Sequence, residues 1–197
     1  MMEISEGMLL AGLKAAAERL PFYPTRSGLG SDILTTNPAM ETFEAPYTRE
    51  RLVAMPALNA DVGLIHVDSA DSSGYGQILG DPYFDVLLAE GARKTFLCAD
   101  KVASLAELKE SGAHSIVILK IWVSGVVEAP YGAHPTACYP GYTSDVAHLN
   151  EYSAAAGDPG SFKSYLDKYV NVVENQSSYI EAIGGESKLA QLRTRGI

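Results

Sequence analysis

Apolar positions along this chain follow two periods, and the switch between them marks out its elements. Over the first twenty residues Leu9, Leu13, Ala16 and Leu20 recur at four, three and four, which places them on one face of a helix beginning near Ser5. Pro21 and Pro24 end it. The stretch FYPTRSGLGSDILTTNPAM reads as a connector rich in Gly, Ser, Thr and Pro, with one short extended piece around Phe22, and RLVAMPAL as a further short strand. Val62, Leu64, Ile65 and Val67 form a near-continuous apolar run, the pattern of a strand buried on both faces. Asp71 to Gly76 supply the turn after it, and DPYFDVLLAEGARK a short helix with Asp81 as N-cap and Pro82 at the first helical position. KTFLCAD returns as a strand, SLAELKESG is a helix ended by Gly112, and SIVILKIWVSGVVEA is one long strand or two joined near Ser124 and Gly125. From YTSDVAHLNEYSAAAG onward every pattern is helical.

Strands alternating with helices predict an α/β fold: an open, mostly parallel sheet with flanking helices and a helical C-terminal tail. A single domain is expected, with the α/β core over 1–145 and a helical extension over 146–197. The strands are few for an independent sheet, so the sheet is either small or completed by a partner. Sites in such sheets lie at the carboxyl ends of the strands. There EAPYGAHPTACYP, residues 128–140, follows the last strand with Tyr131, His134, Cys138 and two prolines, a loop built to hold a shape.

Composition narrows the function classes. Of 197 residues 47% are hydrophobic and 20% charged, enough for a well-cored domain. The net charge of −9, with no basic stripe, argues against nucleic acid or an anionic membrane as partner. Two cysteines with unpaired spacing suggest neither a disulfide framework nor a zinc site, and fit a reducing cytoplasm. The acidic start lacks the pattern of a signal peptide, and no apolar run reaches membrane-spanning length.

Several residues carry candidate chemistry. Glu6 lies three and seven residues before Leu9 and Leu13, so it shares their inward stripe. A carboxylate there is partly desolvated yet favoured by the helix N-terminus, a balance that suits a general base; the plain alternative is a first-turn acid that only complements the helix dipole. Arg26 precedes SGLGSD, where Gly28 and Gly30 permit close backbone approach or positive φ, so its guanidinium could hold a substrate carboxylate or sit solvated on a turn. A ring nitrogen of His134 could reach a thioester carbonyl or tie down its own loop. Cys138 as a nucleophile lacks an identifiable orienting group, and His66, inside an apolar strand, reads as a core histidine.

Three blocks, LPFYPTRSGLGSD, ALNADVGLIHVDSADSSGYGQILGDPYFDVLLAEGARKTFLCADKV and VVEAPYGAHPTACYPGY, occur in the order found in one family. Together they resemble the α subunit of the class I coenzyme A transferases, the glutaconate CoA-transferase type, from about Glu3 to about Tyr169. EGM near Glu6, with AAAERLPFYPTRSGLGSD and LVAMPALN, is most similar to the branch of hydrolases that open the last steroid rings as CoA thioesters. The resemblance implies an α-type subunit acting on an acyl-CoA, with coenzyme A as co-substrate and no permanently bound cofactor or metal. It implies a hetero-oligomer with a β-type subunit, which carries the glutamate nucleophile in a Ser-Glu-Asn-Gly type motif; VENQSS here lacks the glycine of that motif. It also implies a chain supplying the glycine-rich N-terminal third that family α subunits carry. Glu6 is then the base of the hydrolase branch, and Arg26, Gly28, Gly30, Asn59, Tyr131 and His134 contact substrate or CoA. A subunit that is only structural is the alternative from another class.

Overall fold

The computed structural model describes residues 3–38 and 40–193. Helix α1 (Glu6–Ala17) starts where Ser5, in extended conformation, accepts a hydrogen bond from the Met8 amide. It stops at Ala17, before the prolines, and Arg19 beyond it has φ 59°. The buried face is Met8, Ala11, Gly12, Leu13, Ala15 and Ala16, whereas Leu20 lies outside the helix and is exposed.

The connector between α1 and the apolar strand holds more structure than its composition suggests. Strands β1 (Phe22–Thr25), β2 (Glu41–Glu44) and β3 (Arg51–Pro56) form an antiparallel sheet in the order β1-β3-β2, with the short helix α2 (Ile33–Thr36) between the first two. Met8 and Ala11 of α1 pack with Met40, Val53 and Met55 to make its core. Val53 and Met55 are wholly buried, each contributing about 1.5–3 kcal/mol of hydrophobic stabilisation.

A second, mixed sheet has the order β7-β5-β4-β6-β8, from β4 (Val62–Ala70), β5 (Gly76–Gln77), β6 (Lys94–Val102), β7 (Ile116–Ile118) and β8 (Val123–Glu128). The amides of Lys94 and Ala103 donate to the carbonyls of Asp61 and Ala70, a constant offset that makes β4 and β6 parallel. β5 is antiparallel to β4 and pairs only with Ser69 and Ala70. The run read as one strand or two is β7 and β8, broken by a 3₁₀ turn at Lys120–Trp122, earlier than Ser124; the two strands stand at opposite edges of the sheet. β4 alternates instead of being buried on both faces: Gly63, Ile65 and Val67 are inside, Val62 and Leu64 exposed.

Helix α3 (Asp85–Gly91) begins later than Asp81, with Phe84 in the N-cap position. Arg19 donates to the carbonyls of Glu90 and Gly91 at its C-terminus. Helix α4 (Leu105–Gly112) has a capping box between Ser104 and Glu107, and the buried Gln77 side chain donates to the carbonyls of Leu108 and Gly112 at its other end. The remaining helices are α5 (Val146–Ala155), α6 (Pro159–Leu166), α7 (Gln176–Ala182) and α8 (Gly185–Leu192), with a π-helical turn at Asp167–Asn171. Among the described residues no helix is long and apolar enough to cross a membrane.

By contacts the described residues divide into two compact units. The first comprises residues 1–65, 82–96 and 118–125, the second 66–81, 97–117 and 126–197.

Candidate functional site

In the first unit, the loop from Arg26 to Gly30 folds onto the start of α1. A Cβ on Gly7 would overlap Ser27 Oγ, and one on Gly28 would lie 3.1 Å from Met8 Sδ, so neither contact survives a side chain without movement. Gly28 and Gly30 have φ of +93° and +76°, the left-handed conformation expected of this turn. Glu6, next to Gly7, is exposed and does not share the inward stripe, because the buried face is centred on Met8, Ala11 and Ala15. Arg26 is also engaged: Nη2 donates to Glu50 Oε2 at 2.8 Å and Nε to Glu50 Oε1, a bidentate pair at the surface. These hydrogen bonds, and the opposite charge, hold the Glu50 carboxyl below its ordinary range and raise Arg26. A substrate carboxylate would have to displace Glu50. Thr25, Arg26, Ser27 and Glu50, with Pro24 and Leu52, line an open pocket of about 400 Å³.

Asn59 is exposed and lies in the segment between β3 and β4, which meets α1 elsewhere. The Leu58 amide before it donates to the Gly12 carbonyl, six residues and about 9 Å along the helix from Glu6.

In the second unit, a polar cluster occupies the carboxyl ends of β4 and β6. His66 Nε2 lies 3.3 Å from Asp100 Oδ1, and the same oxygen accepts the Tyr131 amide at 2.6 Å. Tyr131 has φ 58°, and its hydroxyl accepts Arg193 Nε at 2.6 Å. Asp68 Oδ2 accepts the Leu79 amide at 2.7 Å, while Cys138 Sγ approaches Asp68 Oδ1 at 3.5 Å. Burial pushes Asp68 up, and the hydrogen bonds from Leu79 and Cys138 only partly oppose it. Burial, with Asp68 and Asp100 nearby, also pushes the Cys138 thiol far up, so it stays protonated and is a poor nucleophile.

His66, Asp100 and Cys138 are close enough for a metal ion. The imidazole argues against one. Its Nδ1 is buried with no partner among the described residues, and Gly132 packs so close to the ring that a Cβ there would lie 3.0 Å from it. A metal on Nε2 would put the proton on Nδ1, where no acceptor waits; Nε2–H donating to Asp100 leaves only a bare lone pair inside.

His134 lies deeper. Its side chain is fully buried, Nε2 donates to Asp145 Oδ2 at 3.2 Å, and Nδ1 accepts the Tyr179 hydroxyl at 2.7 Å. Both nitrogens are therefore engaged, and a thioester carbonyl would have to displace Tyr179 or Asp145. Asp145 also accepts Lys188 Nζ and caps α5 by accepting the His148 amide. His148 meets the Tyr165 hydroxyl at 2.7 Å. Burial lowers both histidines, so they are neutral at pH 7, although the Asp145 carboxylate pulls each back in part.

The structure thus seats the loop of Arg26, Gly28 and Gly30 on the first turn of α1, where Glu6 stands, sets the segment of Asn59 near Gly12 further along α1, and places Tyr131 and His134 in the other unit. Sequence reasoning missed Glu50, Asp68, Asp100 and Asp145. The alternation of His66 and Asp68 on one face of β4, matched by Asp100 on β6, is the signal that could have found two of them.

No family model matches the chain. It is 38% identical over 181 residues to the cholesterol ring-cleaving hydrolase IpdA subunit of Rhodococcus jostii, covering 88% of this chain and 61% of that protein. The crystal structure of glutaconate coenzyme A-transferase from Acidaminococcus fermentans superposes with a TM-score of 0.90 at 26% identity, over 98% of this chain and 66% of that one. The crystal structure of a variant of the decarboxylase AibA/AibB superposes with a TM-score of 0.68 at 29% identity, over 84% and 61%. The chain spans about 61% of the length of the curated relatives first matched, and the three ordered blocks, the mixed open sheet and the helical C-terminal region agree with these likenesses. The chain belongs to the coenzyme A transferase family, on the side of its α subunits.

Proposed function

We propose that this chain is the α-type subunit of a CoA-transferase-family enzyme that acts on an acyl-CoA thioester in the cytoplasm, with coenzyme A as co-substrate. A β-type subunit completes the hetero-oligomer and carries the glutamate that attacks the thioester, expelling CoA as its thiolate. The observation that supports this reading is the packing of the Arg26–Gly30 loop against the first turn of α1. It seats the loop that carries Arg26 on the turn of α1 that begins with Glu6, with Gly28 against Met8 and open space around Gly30. Arg26 exchanges Glu50 for a second carboxylate of the substrate, Gly28 and Gly30 let the backbone approach CoA, and Asn59 adds a polar contact. Tyr131 and His134 shape the loop at the strand ends.

Similarity to the Rhodococcus jostii hydrolase subunit, together with the exposure of Glu6, favours a second reading, ring-opening hydrolysis. Here Glu6 takes a proton from water as the oxygen adds to a ring ketone; the ring carbon–carbon bond then breaks to leave a carboxylic acid, its electron pair goes to the departing carbon, and that carbon takes the proton back from Glu6. The test is calorimetric titration of an acyl-CoA into the complex of this chain with its β-type subunit, followed by turnover of the Glu6→Gln complex. No heat would overturn the acyl-CoA reading and leave a structural subunit. Loss of hydrolysis in Glu6→Gln supports the base, whereas unchanged turnover removes Glu6 from the mechanism.

A further inference from the structure

Among the described residues the side chains of Arg26 and Glu50 bond only each other, and both belong to the first unit. The backbone on either side is fixed independently of that pair. Glu50 closes the loop between β2 and β3: its carbonyl accepts the Ala45 amide at 2.8 Å, its amide donates to the Thr48 hydroxyl at 3.4 Å, and Arg49 beside it stands at φ 59°. Arg26 follows β1, whose Thr25 pairs with Val53 of β3. Parting the two side chains therefore breaks no backbone contact. Asp145 differs, because Lys188, His134 and the His148 amide all hold it inside the fold. With Arg26 76% exposed and Glu50 37%, their pair contributes little to stability. What sets it apart is its place in the wall of the pocket of about 400 Å³, beside Thr25 and Ser27. The Thr25 hydroxyl accepts the Ser27 amide at 3.1 Å, and among the described residues neither hydroxyl donates its hydrogen to a protein group.

We propose that Glu50 is a built-in competitor for the carboxylate that Arg26 binds, and that it decides which ligand end groups the pocket admits; this rests on the role of Arg26 proposed above. A guanidinium presents parallel N–H groups that match two carboxylate oxygens, and Glu50 already fills that fork. An incoming carboxylate replaces it like for like. The fork stays filled, the released Glu50 carboxylate turns to water, and the Thr25 and Ser27 hydroxyls have hydrogens to give to the new oxygens. A neutral amide or an apolar end offers the fork no charge, so Glu50 keeps its seat and the pocket stays narrowed. Selectivity then comes as much from the ligand refused as from the one accepted. The same contact weakens binding, because only molecules whose Arg26 is clear of Glu50 are competent. The apparent dissociation constant rises by about tenfold where Glu50 is seated in roughly nine molecules of ten.

The probes are butyrate and its neutral counterpart butyramide, each titrated into the full chain while the Arg26 Nε–H signal is followed by nitrogen-15 NMR; Arg26→Lys identifies that signal by its loss. Butyrate should shift it saturably but weakly in the parent, and with a dissociation constant lower by about fivefold to tenfold in Glu50→Gln. Butyramide should leave the parent signal in place. Glu44→Gln removes the same charge from an exposed position on β2 and should bind butyrate as the parent does, which separates release of Arg26 from a general gain in positive charge. Glu50→Asp keeps the charge on a shorter stem and should fall between parent and Glu50→Gln, so the test survives if the glutamine variant fails to keep the parent's circular dichroism. A Glu50→Gln or Glu50→Asp affinity no tighter than the parent's would overturn the proposal, as would an equal gain in Glu44→Gln, a parent response to butyramide as strong as to butyrate, or no response to butyrate in any chain. No thioester enters these titrations. The acyl-CoA reading stands or falls on the calorimetric titration, and heat there without a Glu50 effect here would separate the two.

Discussion

Asp145→Asn measures what the buried polar network of the second unit contributes. The carboxylate is 3% exposed, accepts Lys188 Nζ at 2.8 Å, and bonds the His148 amide at 3.1 Å and His134 at 3.2 Å. Burial alone would raise it, but Lys188 and the two histidine contacts outweigh that and hold it at about 2, against an ordinary 3.8. At about 1.4 kcal/mol per pH unit, this gap corresponds to roughly 2 kcal/mol of stability. Asparagine still caps α5 through its carbonyl oxygen, so the helix start is nearly unaffected and the loss is that of the charge. Lys188, only a quarter exposed, is left without its counter-ion, which adds to the cost.

Urea unfolding at pH 7 should therefore show Asp145→Asn less stable by roughly 2–3 kcal/mol, with the slope unchanged. A carboxylate with a lowered native value stabilises above its unfolded value, near 3.8, and loses that contribution as pH falls toward 2. The gap between parent and variant should thus be flat from pH 7 to pH 5 and narrow below pH 4. A variant within about 0.5 kcal/mol of the parent at pH 7 would refute the reasoning, because charge would then be irrelevant to the network.

Three further outcomes follow from the same geometry. His134 and His148 are lowered in the fold, so the unfolded chain binds protons first; stability should fall below about pH 6.5, by up to about 1.4 kcal/mol per pH unit for each. His148→Gln should reduce that slope in urea titrations between pH 7 and pH 5.5, and an unaltered slope would count against burial as its cause. Gly12→Ala should destabilise by about 1 kcal/mol despite a helix-propensity gain of similar size, since its Cβ would lie 2.6 Å from Leu58 Cγ and 3.1 Å from Met55 Cε; a higher melting temperature would show that Leu58 moves freely. Cys138 should react with iodoacetamide at pH 7.5 far more slowly than free cysteine, because burial and two carboxylates disfavour its thiolate, and rapid labelling mapped to Cys138 would contradict that environment.

The elements legible in the sequence are those set by local rules. Ser5 caps α1, the residues from Asp71 to Gly76 turn, Gly112 ends α4 at φ 142°, and each of these lies where composition placed it. Of the three-stranded sheet, β1 and β3 were legible as short extended pieces, but β2 and the pairing of all three were not, because they are short, half-polar strands whose pairing is decided by the core of Met8, Met40 and Met55 across long separations. Asp145 gave no local sign either. Its neighbours Lys188 and His134 lie 43 and 11 residues away, and only the tertiary fold gathers them. Arg26 shows the limit for the site: its loop is where the glycines predict, but Glu50, on a different segment, already occupies the guanidinium.

Two expectations of burial failed, for different reasons. Spacing placed Glu6 on an inward stripe and Val62 with Leu64 inside a doubly buried strand, and the chain exposes all three. For β4 the period is not misjudged: Gly63, Ile65 and Val67 are buried, and the strand is where the run predicts it. The excess is confined to the outward face of the strand. An apolar pattern that exceeds what one chain can cover is what selection leaves when the surface is buried in a larger assembly.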